Sequence, residues 1–272
     1  MVRAAQAISQ KAVELIYLND GPIPADRLRV MRETGEVIAK SRLGNSGSLR
    51  AAFSLPTERA WNPDDLVWFA EDDYLYLPNA LADLVAAKEA YTNADYFSLY
   101  ALIGNRLPNG SPSEDKRVPE NWQSDSPRKI KGSIWRKALS TTSTFGARVR
   151  TVKEDRGMML AAMRCGGAFD HSTCLAYQGF TPYPLWFLAQ GVWGATRPIP
   201  VARSLAASLV RAGFNVYAAA RSMKRSPRFL VASDPALITH LESAFLADGV
   251  DWAAVAADTQ LWVAAGLTTD SR

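Results

Sequence analysis

Apolar and polar positions alternate along this chain in blocks that switch between strand and helix periods. Val13 to Leu18 (VELIYL) is a short β-rich apolar run that stops at the turn sequence Asn19-Asp20-Gly21-Pro22, so it reads as a buried strand ending in a carboxylate. Arg27 to Glu33 suits a short helix and Glu36 to Ala39 a second strand. Asn45-Ser46-Gly47-Ser48 opens an amphipathic helix through Phe53, which Pro56 is expected to close. Asp65 to Ala70 (DLVWFA) is uninterruptedly apolar after its first residue, as a central parallel strand covered on both faces would be, and it runs into Glu71-Asp72-Asp73. A helix then follows Leu77-Pro78-Asn79 to about Ala90, and Tyr96 to Leu102 is a further strand. Strands alternating with helices predict an α/β fold with a mostly parallel central sheet flanked by helices.

Beyond this point the pattern changes. Asn105 to Lys131 is rich in Pro, Gly, Ser and charge and reads as a long surface loop. Trp135 to Phe145 reads as a strand or turn and Glu154 to Arg164 as a helix. From Pro200 the chain reads as mostly helical, over Ala202 to Ala212, Pro235 to Ala247 and Trp252 to Ala265. The expected organisation is one main domain over residues 1–200 with a helical C-terminal extension over 201–272, and there is no internal repeat.

At 272 residues, 48% hydrophobic and 21% charged, the chain falls among globular proteins, and its core needs no disulfide. Cys165 and Cys174 show no Cys-x-x-Cys or His spacing, so two reduced, partly buried thiols are expected and zinc is not. No window approaches the ~20 apolar residues of a membrane helix, and the N-terminus does not read as a signal peptide, which predicts a cytoplasmic protein. Tyr183 to Trp193, rich in aromatics and leucine, reads as core, with peripheral contact to a bilayer surface as the alternative. Net charge is only +4, but ten basic residues against two acidic ones lie between Lys116 and Lys153. Such a segment is either a solvated face or the dock for an anionic small molecule or lipid, and without a nucleic-acid-binding motif no nucleic acid is expected.

The acidic triplet is the most informative feature, because ligands bind where strands end at the carboxyl edge of an α/β sheet. Glu71 and Asp73 project to alternate sides of an extended chain, and buried charges need a partner. A divalent cation is one answer, and oxygen ligands select Mg²⁺ or Mn²⁺ with positions left for substrate phosphates. An acidic turn favouring the N-terminus of the following helix is the other.

The run DDLVWFAEDDYLYLPNALADL resembles the DxD-type region of GT-A glycosyltransferases, above all their large inverting family 2, with its hydrophobic strand, acidic triplet, aromatic and LPNAL helix start. Upstream, VELIYLNDGPIPADR is similar to that family's second strand and its DDGS-like end, and GNSGSLRAAF to its next helix start. Downstream, STTSTFGARVRTVKEDRGMMLAAMRCGG is similar to the acceptor-side region. The resemblance covers about Val13 to Gly167 and implies a GT-A-like sheet, Asp20 at the nucleoside, Asp72 or Glu71 near the ribose, and Asp73, with Glu71, at the Mn²⁺ or Mg²⁺. It implies Asp155 as the general base, a residue that equally suits an N-terminal helix position, and Asp170 beside His171 is the rival.

The implied activity is transfer of a sugar from a UDP-, GDP- or dTDP-linked donor to a hydroxyl of a carbohydrate, lipid-linked or small-molecule acceptor, by a chain that is compatible with a homo-oligomer. One carboxylate takes the acceptor proton and a cation stabilises the leaving diphosphate. The basic segment would neutralise phosphate, and Trp135 would stack on a sugar or form a hydrophobic wall. The sequence departs from the family in lacking its first strand, in having Glu-Asp-Asp for Asp-x-Asp, and in a segment after His171 that matches no known pattern. Two other readings stand beside it: a degenerate glycosyltransferase fold serving as a binding or assembly module, and a different Mg²⁺-dependent nucleotidyl or phosphoryl transferase.

Overall fold

The computed structural model describes residues 1–8, 12–113, 117–165, 171–193 and 201–266. The N-terminal part runs α1 (Val2–Gln6), β1 (Ile16–Asp20), α2 (Ala25–Thr34), β2 (Glu36–Lys40), α3 (Gly44–Glu58), β3 (Leu66–Phe69), β4 (Tyr74–Tyr76), α4 (Ala80–Ala90), β5 (Tyr96–Ser98) and β6 (Ala101–Leu102). It continues through β7 (Arg128–Ile130), β8 (Ser133–Lys137), β9 (Ser140–Thr141), β10 (Phe145–Arg148), α5 (Val149–Ala162), α6 (His171–Tyr177), α7 (Leu185–Trp193) and α8 (Val201–Ser222). It ends with β11 (Leu230–Ser233), β12 (Ile238–His240) and α9 (Trp252–Ala264).

The fold is mixed α/β, with a six-stranded sheet in the order β3-β10-β5-β11-β8-β7. The expectation of a mostly parallel sheet is corrected here: of these pairings only β5 with β11 is parallel, while β10 and β8 run against their neighbours. β3, expected as a central parallel strand, is instead the edge strand of the sheet, antiparallel to β10 and half-buried apart from Phe69, so its apolar run does not report coverage on both faces. β1 and β2 form a separate parallel pair.

Alternation along the strands divides the core in two. Tyr96, Phe145, Ala147, Leu230 and Ala232 face Phe53 of α3, Met158 of α5 and Phe214 of α8 on one side. Phe97, Trp135 and Val231 face Leu84 of α4 and Trp252 of α9 on the other. On the first side the rings of Phe53, Phe69 and Phe145 meet at centroid separations of 5.1, 6.1 and 5.1 Å, an aromatic cluster that fixes α3 against the sheet.

Of the three helices expected after residue 200, α8 and α9 are present, but the one over Pro235 to Ala247 and the separate helical extension are corrected. β11 sits in the middle of the sheet and β12 pairs with β4, so this part of the chain is woven into the core and is not a helical extension. Leu237, Leu241 and Phe245 have helical spacing, yet Ile238 to His240 gain a strand partner and Ile238 is fully buried, so tertiary pairing overrides the local pattern. Two smaller corrections follow the same logic: Pro56 lies inside α3, and the strand predicted over Tyr96 to Leu102 divides between two sheets. The two cysteines are buried thiols not joined in a disulfide, as expected. No helix of the described residues is long and apolar enough to cross a membrane.

Candidate functional site

The acidic triplet follows β3 directly, and the antiparallel pairing of β4 with β12 brings His240 opposite Tyr74. Across that pairing His240 Nε2 lies 3.1 Å from Asp73 Oδ2. The backbone N–H of Glu242 donates to His240 Nδ1 at 3.2 Å, which leaves the ring proton of the neutral imidazole on Nε2, aimed at Asp73. His240 therefore orients the carboxylate as a donor. Edge contacts from Tyr74 at 5.1 Å and Phe245 at 5.7 Å hold the ring, and the Leu241 N–H ties the turn by donating to the Asp73 carbonyl at 2.9 Å.

Glu71 faces a cleft of about 330 Å³ whose walls include Tyr74, Tyr100, Ser143, His171 and His240. Its backbone N–H donates to Thr144 Oγ1 at 3.0 Å, and Tyr74 donates to Thr142 Oγ1 at 3.0 Å, so hydroxyls of the 140–144 segment form the floor beside the triplet. Burial pushes the Glu71 carboxyl above its usual range; the nearby Asp73 charge pushes it further, and His240 pulls the other way. Burial also raises the Tyr100 hydroxyl to about 12, which keeps it a hydrogen-bond donor, to the Phe245 carbonyl at 2.6 Å.

Asp73 Oδ1 is buried and has no hydrogen-bond partner, although the rest of the side chain is 47% exposed. Such an atom favours a cation. Among the described residues no three acidic, His or Cys side chains converge as a metal cage. The residues here that could hold an ion such as Mg²⁺ or Mn²⁺, which needs only one or two carboxylates and completes its shell from water and substrate phosphate, are Glu71 and Asp73, whose charges act on each other. Asp72 is exposed beside them.

The other expected site residues fall elsewhere. Asp20 ends β1, but its carboxylate accepts from Leu43 N at 2.8 Å, Gly44 N at 2.7 Å and Ser48 Oγ at 3.3 Å. It thus caps α3, which has no side-chain cap of its own. Asp155 is corrected as general base: it is 1% exposed and bonded to Tyr96, Arg221 and Arg228, with no face left for an acceptor. Asp170 lies outside the described residues, immediately before His171 of the cleft wall.

The basic segment is likewise dispersed over separate contacts. Arg148 is buried and donates to the carbonyls of Ala94, Lys88 and Tyr91; Arg136 pairs with Asp234; Arg128 lies over the Tyr91 ring. Trp135 is fully buried in the core, which corrects its expected place against a sugar. His240 escaped sequence reasoning. The signal available was rarity, since the chain has two histidines and both line the cleft.

No family model, no curated protein and no solved structure matches this chain.

Proposed function

We propose that the chain is a metal-dependent glycosyltransferase of GT-A-like architecture that moves a sugar from a nucleotide-diphosphate donor to a hydroxyl acceptor. The observation that carries this reading is the carboxylate pair Glu71 and Asp73 at the end of β3, beside the cleft, with one Asp73 oxygen buried and unpartnered and the other held by His240. A bound Mn²⁺ or Mg²⁺ would supply neutralisation of the leaving diphosphate. The chain's own residues do the rest. Asp73, oriented by His240, and Glu71 hold the ion; Tyr74 and Tyr100 give the cleft an aromatic wall suited to a sugar face. In the transfer the acceptor oxygen bonds to the anomeric carbon as the bond to the diphosphate breaks, and a carboxylate takes the acceptor proton. Asp170, which precedes His171 in sequence and is the rival base in the resemblance, is the residue we assign that proton now that Asp155 is sealed in the core.

Thermal shifts of the chain with nucleotide sugars, with and without Mn²⁺, test the proposal. A shift that needs metal and vanishes in Asp73→Asn supports it; no shift for any donor, with the native chain folded, overturns it.

A second reading, a binding module that retains the fold without the transfer, is favoured by Asp20, whose carboxylate serves α3 where the resemblance implied nucleoside contact. It predicts nucleotide binding that ignores divalent metal.

A further inference from the structure

α8 carries apolar residues on its outer face as well as on its inner one, where Phe214 and Ala218 are buried. At 100° per residue, Leu205, Leu209, Val216 and Met223 at its end fall within about 40° of one another, a single stripe along the helix. That stripe faces away from the protein: Leu209 is 73% exposed, Val216 71% and Met223 81%, with Ala206 and Gly213 beside them. Three polar side chains point inward beside Phe214 and Ala218. Ser208 donates to the Leu188 carbonyl, Asn215 exchanges hydrogen bonds with the backbone of Tyr183, and Arg221 reaches Asp155. A helix on a water-facing surface keeps its outer face polar.

α7 extends the patch. Residues 183 and 188 meet 215 and 208, so α7 runs antiparallel to α8, and it exposes Leu185 by 83% and Trp186 by 55%. This corrects the core reading for Leu185, Trp186 and Phe187, while Tyr183 is buried and Leu188 packs against the core as expected. The stretch from His171 to Ser233 has no Asp or Glu, and of its Lys and Arg residues, Arg221 and Arg228 answer Asp155 and Arg211 lies over the Tyr183 ring. Lys224 and Arg225 are exposed just past α8, and Lys153 and Arg164 on the segment packed against it. The exposed carboxylate of α5, Glu154, is tied to Arg228 and Arg225.

We infer that the outer face of α7 and α8 docks on an anionic lipid surface, lying in the interface without spanning it. Apolar side chains enter the acyl boundary, Trp186 and Tyr217 sit at headgroup level, and the cations meet lipid phosphate. A second copy of the chain fits less well, because it would bring the same excess of cations with no carboxylate to answer it. The inference does not depend on the transferase reading.

The test is co-sedimentation of the full chain with vesicles of phosphatidylcholine alone or mixed with phosphatidylglycerol. The expected result is binding about tenfold or more stronger to the mixed vesicles, weakening with salt. Leu209→Gln with Val216→Gln, both at exposed positions, should reduce that binding at least to the level of neutral vesicles while the circular dichroism stays native. Lys224→Glu with Arg164→Glu provides an independent variant with the same expected loss. Equal binding to both vesicles, unchanged binding in the glutamine variant, or a dimer in light scattering that the glutamine variant dissolves and no vesicle captures would overturn the inference.

Discussion

Arg221 donates to Asp155 at 2.5 Å although 66 residues separate them, and both side chains are withdrawn from solvent. Arg228 closes the other side of the carboxylate at 2.8 Å, and Tyr96 adds its hydroxyl at 2.9 Å. This network ties α5 to the end of α8 and to the lead into β11. Removing the carboxylate leaves buried guanidinium charge without an answer, so Asp155→Ala should cost about 3–5 kcal/mol of stability. Urea unfolding measures it. A variant as stable as the native chain but unable to transfer sugar would return Asp155 to a catalytic role.

Glu71 carries the opposite sign. Its pKa is raised in the folded protein, first by burial, so the native state binds the proton more tightly than the unfolded chain. Stability linked to this group is present at low pH and is lost as pH rises through the folded-state pKa. Glu71→Gln should therefore melt higher than the native chain at neutral pH, and the difference should vanish near pH 4. Paired thermal melts across that range would show it; a variant less stable at neutral pH would refute the assignment.

If His240 serves to orient Asp73, then His240→Ala should weaken Mn²⁺-dependent nucleotide binding by about 10- to 100-fold, the usual effect of losing a group that positions a ligand. Titration calorimetry with and without the ion separates this from a general loss of nucleotide affinity. Equal loss in both arms would place His240 at the nucleotide instead.

Gly35 joins α2 to β2, and a Cβ there would run into the Leu15 carbonyl oxygen and stand 2.8 Å from the Leu15 Cβ. That carbonyl accepts the Glu36 N–H at 2.9 Å, the bond that starts the pairing of β1 with β2. Gly35→Ala should cost about 1–3 kcal/mol through this overpacking. Amide exchange should show the loss concentrated in β1 and β2.

Local chemistry made much of this structure legible. β2, α4 and α9 lie within a few residues of their predicted spans, and in α9 the buried and half-buried Trp252, Val255, Thr259 and Trp262 keep the helical spacing. β11 was invisible: Leu230 to Ser233 is four residues long and follows a helix, so no pattern distinguishes it until β5 and β8 receive it on either side. The site divides in the same way. Glu71 and Asp73 announce themselves as charges following an apolar run, whereas His240 reaches Asp73 only through the β4–β12 pairing, across 167 residues. Asp155 shows the converse, a carboxylate in a suggestive sequence setting whose partners, Arg221 and Arg228, belong to a distant part of the chain.

The central place of β11 also governs the order of assembly. β5 comes early in the chain and can pair with β10 once that strand exists, but its other edge waits for Leu230 to Ser233, and the β7–β8 hairpin has no seat until then. During synthesis the ribosome must pass Ser233 before the sheet is continuous, and until that moment buried residues such as Phe97 and Trp135 stand beside an open strand edge. A nascent chain stalled before β11 would be a ready client for chaperones and prone to aggregate, and the completed protein should fold slowly for its size.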